Sequence, residues 1–210
     1  MRNSSFFSLE KTSRKLTTLI VLQIAITVSM MTIYSYYPRF LYWENVFDDD
    51  LANLGVIFFY VTTGVGITIW VIFYYWFYKS YKNLKLFYTR PLRHSPRVAL
   101  VCLFVPIVNI WETYFNVREI WKYSDPNILP SGEPIKYKHE KNIVIVWWIS
   151  LLSSSLLVFL FWSGNLIAAL ISDSLYLFGL VMWFLIIREI TLRQAEKNKI
   201  LSGNPLEFKD

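Results

Sequence analysis

Four long apolar runs constrain this chain more than any other feature: residues 16–36, 55–78, 143–162 and 166–187. A helix rises about 1.5 Å per residue, so a run of about 20 residues crosses the ~30 Å hydrocarbon layer of a bilayer. Composition agrees. With 17% charged and 55% hydrophobic residues, the chain is poorer in charge than a water-solvated domain, where about a quarter are charged. The expected fold class is an all-α integral membrane protein. A formal net charge of +6 would point to nucleic acid in a soluble protein. Basic residues beside membrane spans are expected for orientation alone, so no nucleic-acid partner is expected.

Lysine and arginine orient short loops towards the cytoplasm. Arg2, Lys11, Arg14 and Lys15 precede the first run, and the bulky stretch "MTIYSYYPRF" after it offers no small-residue cleavage site. The run therefore reads as a retained anchor rather than a signal peptide. The next loop carries Arg39 beside Glu44, Asp48, Asp49 and Asp50, with Tyr36, Tyr37, Tyr42 and Trp43 as an external aromatic belt. Residues 79–97 carry Lys79, Lys82, Lys85, Arg90, Arg93 and Arg97 and no acid. The N-terminus and this basic loop are expected inside, and the acidic loop outside.

The stretch "VALVCLFVPIVNIWETYFNVREIW", residues 98–121, decides the rest. If it crossed, Lys122, Lys136, Lys138 and Lys141 would lie outside, with Arg188, Arg193, Lys197, Lys199 and Lys209; together with Arg39 that is ten external basic residues. If it dips in and returns, Arg39 stands alone. Only residues 98–111 are continuously apolar, a length suited to a re-entrant or interfacial piece. Pro106 has no amide proton and interrupts a helix. Asn109 is expected to bond the carbonyls so freed, because backbone at membrane depth must be satisfied within the protein. A charge such as Glu112 at mid-bilayer would cost about 2.5–3.5 kcal/mol. The expectation is a helical hairpin that enters and leaves on the cytoplasmic side. Its exit limb should be amphipathic, with Ile110, Tyr114, Val117 and Trp121 on one stripe and Glu112, Asn116 and Glu119 on another.

These residues carry a resemblance. The succession "FYYWFYKSYKNL", "SPRVALVCLFVPIVNIWETYFNVREIWKYSDP" and "REITLRQ" is similar to the bacterial domain-of-unknown-function family DUF4328 over about residues 55–194. The matching positions are Trp76, Tyr78, Asn83, Leu84, Ser95, Pro96, Phe104, Pro106, Asn109, Trp111, Glu119, Ile120, Trp121 and Gln194. Members of the family commonly carry a second proline where this chain has Thr113, which favours a smoother exit limb here. The resemblance implies a small multi-span protein of a bacterial cytoplasmic (inner) membrane, and it brings no activity or ligand.

Catalytic patterns are missing: no phosphate-binding glycine loop, no paired-histidine zinc helix, no nucleophile elbow. Cys102 stands alone, and His94 and His139 read as solvated loop residues, so no cofactor or metal is expected. Asp173 is the one acid in the last apolar run. It reads either as an intramembrane acid or, in "ISDSL", as a helix cap at the external interface, the cap being preferred. Glu112, Arg118, Glu119 and Trp121 join Pro106 and Asn109 as the candidate motif. The acids there are either a polar lining that faces the basic loop or a surface face on which Glu119 pairs with Lys122. Gly64 and Gly66, and Ser153, Ser154 and Ser155, are expected to let helices pack closely.

The resulting expectation has a cytoplasmic segment 1–15, a single membrane domain 16–194 with four spans and the hairpin, and a polar cytoplasmic tail 195–210. The expected function is a non-enzymatic accessory or scaffold subunit acting through membrane partners or as a homo-oligomer, in contact with membrane lipids. A small carrier, channel or lipid-binding protein using the Pro106–Asn109 break is the alternative, and an intramembrane enzyme a weaker one.

Overall fold

The structure, a computed structural model, describes residues 6–36, 50–89, 91–128, 130–131, 142–160 and 166–203. The aromatic belt at 37, 42 and 43, the external Arg39, and the histidine at 139 lie outside them. The described residues form six helices and no strand: α1 (Glu10–Tyr36), α2 (Asp50–Phe87), α3 (Pro96–Cys102), α4 (Pro106–Tyr123), α5 (Ile143–Leu160) and α6 (Leu166–Leu201). Helices α1, α2, α5 and α6 are long and apolar enough to cross a membrane. At 38 and 36 residues, α2 and α6 measure about 57 and 54 Å, far more than a bilayer needs. Both continue past their apolar runs into charged sequence. Residues 195–201, expected as a polar tail, are the last turns of α6.

The chain divides into two compact units: Met1–Lys15 with Ile72–Val144 and Leu185–Asp210, and Leu16–Val71 with Ile145–Phe184. We call them the polar unit and the span unit. In the span unit most hydroxyls turn back on their own helix. Thr27 donates to the Gln23 carbonyl at 2.9 Å, Thr68 to Gly64 at 2.8 Å, and Ser155 to Leu151 at 2.9 Å. A residue whose hydroxyl is satisfied four positions back can sit in an apolar environment without a partner helix. Bonds between helices are made by Ser172, whose hydroxyl reaches the Ser154 carbonyl at 3.1 Å, and by Thr62, whose hydroxyl donates to Met30 Sδ at 3.6 Å. Rings fill the rest, with Trp183 tilted 5.3 Å from Trp70 and 6.1 Å from Trp147.

Two expectations fail in this unit. Gly64 and Gly66 face open space, with nothing within 4 Å of an added Cβ; the close approach is at Gly179, where a Cβ would stand 2.7 Å from Leu151 Cδ2. Asp173 is no helix cap either. It lies about two turns inside α6, half-buried. The apolar residues ahead of Ser172 have high helix content of their own, so the chain has no reason to begin the helix at the serine.

In the polar unit, the chain leaves α2, forms the loop to Ser95, and enters α3 with Pro96 in its first turn and the Ser95 hydroxyl accepting from Val98 N at 3.3 Å. A turn at 103–105 separates α3 from α4. Pro106 opens α4, the position where a missing N–H removes no intrahelical bond. The break expected at Pro106 is therefore present, but it frees no carbonyl that Asn109 must rescue. Asn109 instead accepts from the Thr113 hydroxyl one turn on, while its own amide bonds the Val105 carbonyl at 2.7 Å. The stripes of α4 also differ from expectation. Thr113, Asn116, Val117, Ile120 and Trp121 are the buried face, and Ile110 is exposed. Helix α4 thus turns Thr113 and Asn116 inward beside Val117, Ile120 and Trp121.

Candidate functional site

The acids singled out in α4 meet the basic loop. Glu112 Oε1 accepts from Arg93 Nη2 at 2.7 Å, and its Oε2 lies 2.9 Å from His94 Nε2. Two turns further on, Glu119 accepts from the Tyr81 hydroxyl and, through Oε1, from the Arg93 backbone amide at 3.0 Å. The Tyr81 oxygen also receives the His94 amide at 3.3 Å, and the Arg93 guanidinium lies over the Phe115 ring at 4.4 Å. Residues 112 and 119 are seven apart, two turns of helix, so both carboxylates rise from one side of α4. Together they clip the loop at two consecutive residues. His94, expected to be a solvated loop residue, is thereby part of the cluster, and Glu119 does not pair with Lys122. Arg118 is exposed.

Beside the clip, Lys85, Tyr88, Pro91, Leu92, Arg93, His94 and Ser95 line an open cavity of about 460 Å³. Among the described residues no group of three or more His, Cys, Asp and Glu side chains is placed to hold a metal ion.

A second cluster lies in the same unit and was not foreseen. Asn83 exchanges bonds with the backbone of Phe7, donating to its carbonyl at 2.9 Å and accepting from its amide at 3.0 Å, and also donates to Gln194 Oε1 at 2.8 Å. Gln194 in turn donates to the Ser80 carbonyl at 3.1 Å and to Ser124 Oγ at 2.9 Å. Lys197 is 3% exposed, and its ammonium donates to the carbonyls of Tyr123, Asp125 and Ile128 at 2.9–3.0 Å. Three acceptors match the three donors of an ammonium group. Trp121, expected at a membrane interface, is instead buried with the Arg193 guanidinium 4.2 Å above it. Arg193 also pairs with Glu189 at 2.8 Å and Asp125 at 3.7 Å. Asn116 is the exception in the unit. It is fully buried, and neither amide atom has a hydrogen-bond partner.

The clip, the turn at Pro106, Asp173, α2, α5 and most of α6 fall within residues 49–191, and that stretch matches the family described as Domain of unknown function (DUF4328). The chain belongs to the DUF4328 family. No curated protein and no solved structure matches it. Within this DUF4328 chain the match stops before Gln194 and Lys197, so the second cluster is closed by residues beyond the matched segment. A signal for Lys197 was present in the sequence. Leu180, Trp183, Ile187, Ile190, Gln194 and Lys197 follow steps of three and four, so the lysine continues the buried stripe of α6.

Proposed function

We propose that this DUF4328 protein is a non-enzymatic scaffold or accessory subunit of a bacterial inner membrane, with both ends of the chain and the 79–97 loop in the cytoplasm. One observation carries the reading: the two carboxylates of the α4 motif are both held by internal partners. Glu112 is taken by Arg93 and His94, and Glu119 by Tyr81 and the Arg93 amide. A carboxylate poised as a general base needs a free acceptor site facing its substrate; these two hold a loop in shape. The product of the arrangement is a rigid surface, which suits recognition by a partner.

Purification in mild detergent followed by mass spectrometry tests this. The expected result is another membrane protein recovered in constant stoichiometry and lost with Glu112→Ala, which unclips the loop without touching a span. A chain that is folded and alone in every detergent overturns the scaffold reading. The orientation has its own test. In a Cys102→Ser background, single cysteines at Ser131 and Ser202 should resist an impermeant external reagent while one at Asp49 reacts; external labelling at Ser131 overturns the orientation.

The open cavity at Lys85, Arg93 and His94 favours a second reading, a small anion- or lipid-binding protein. Under that reading Glu112→Gln, which removes the charge that holds Arg93, should strengthen binding of vesicles rich in phosphatidylglycerol. Under the scaffold reading it leaves binding unchanged.

A further inference from the structure

We infer that the tip of the α3–α4 pair is a shallow wedge seated in the hydrocarbon of a single leaflet, not a deep re-entrant loop and not a crossing. The inference rests on the orientation proposed above. The surface has the right chemistry: Val98, Val101, Phe104, Ile107 and Trp111 are all exposed, with Ile107 at 71% and Phe104 at 60%. So much exposed apolar surface on two short helices needs an apolar neighbour. The chain already lives among lipid tails, and lipid hydrocarbon is the occupant that matches a face without a polar group.

Depth follows from three separate counts. First, the Phe104 ring packs against Tyr74 with centroids 4.5 Å apart. Tyr74 precedes Lys79, the first charge after the apolar run of α2, by five residues, about 7.5 Å of helix. Second, Pro106 at the start of α4 precedes Glu112 by six residues, about 9 Å. Third, Arg97 precedes Phe104 by seven residues along α3 and its turn, about 10 Å if helical throughout. All three put the tip about 7–10 Å from the nearest charge, while the middle of a ~30 Å layer lies about 15 Å deep. Amphipathic helices that lie in an interface bury their apolar face to a similar depth, about 5–10 Å. Glu112 then stays out of hydrocarbon while bonded to Arg93 and His94, which removes the conflict between an apolar tip and a charged stem. The expected consequence is that the polar unit is fastened to one leaflet through the tip as well as through the spans.

Spin labels test the depth on the full chain in phosphatidylethanolamine–phosphatidylglycerol vesicles. In a Cys102→Ser background, Val98→Cys, Ile107→Cys, Trp111→Cys and Arg118→Cys are labelled one at a time. Collision rates with oxygen and with a water-soluble nickel chelate report immersion. The expected oxygen-to-nickel ratio is highest at 107, lower at 98 and 111, and several-fold lower at 118. Each position is exposed, so unfolding temperatures in detergent should equal that of the background; a label that shifts them is replaced by one at Val101 or Val105. A nickel-accessible label at 107, while Ser131 still resists external reagent, overturns the wedge and leaves the orientation standing. A ratio that keeps rising from 107 through 111 to 118 overturns it in favour of a crossing. Spin–spin broadening at 107 that vanishes on dilution with unlabelled protein overturns it in favour of a second copy of the chain.

Discussion

The polar unit and the span unit hold their helices by different means. In the polar unit, side chains reach across more than a hundred residues of sequence: Asn83 to Gln194, Gln194 to the Ser80 carbonyl, Trp76 to Thr191 at 3.2 Å. In the span unit, Thr27, Thr68 and Ser155 spend their bonds on their own helices, and contact between helices comes mostly from rings and from the missing side chain of Gly179, beside the Ser172–Ser154 bond. The difference follows from the solvent. Where water competes, burying an amide requires a specific partner, so each buried polar group fixes a position. Among lipid tails a hydroxyl satisfied within its helix carries no such demand, and closeness comes from small residues.

Gln194→Leu should break the comparison most sharply. It strips partners from Asn83, the Ser80 carbonyl and Ser124 at once. With a cost of about 1–3 kcal/mol for each buried group left unbonded, the loss should be about 3 kcal/mol or more. Chemical unfolding in detergent micelles measures it. Ser155→Ala, the matching change on a self-satisfied hydroxyl, should alter stability by about 0.5 kcal/mol or less. Comparable losses for the two would show that the units are not held differently.

Within the span unit, Gly179→Ala should cost about 1 kcal/mol, because Leu151 must move away from the new Cβ. Gly64→Ala should be neutral or stabilise by up to about 1 kcal/mol, since the space there is open and alanine favours helix. Thermal unfolding of the two variants side by side gives the sign. A penalty at Gly64 equal to that at Gly179 would restore the close packing first expected of the second span.

A gain rather than a loss is expected at Asn116. Its amide is buried with neither atom bonded, so Asn116→Leu should raise stability by about 1 kcal/mol. A loss instead, measured in the same unfolding assay, would mean that Asn116 belongs to the polar network after all.

The existence of the four long helices was written in the apolar runs, because hydrocarbon accepts little other than a continuous helix of about 20 residues, but the runs did not show that α2 and α6 continue to 38 and 36 residues. The pause near Pro106 was legible for the same kind of reason: a residue without an amide proton starts helices and does not continue them. What Glu112 and Glu119 would meet was half legible. Their spacing put them on one side of α4 and their charge pointed at the basic loop, but nothing in the spacing selected Arg93, His94 and Tyr81 over Lys122. Asp173 reads as a cap from its serine neighbours alone, and only the continuity of α6 from Leu166 removes that reading.

The sequence by itself determined which segments are helical and which can enter a bilayer, since both depend on local composition and on rises of 1.5 Å per residue. Only the tertiary structure decided which partners the buried polar residues take. The α6 periodicity marks Gln194 and Lys197 as inward-facing, but which groups they and Asn83 bond is set where α2, α6 and the stretch after α4 close around them. A hydrogen bond between residues a hundred positions apart is a property of the packing, and no local pattern can specify its partner.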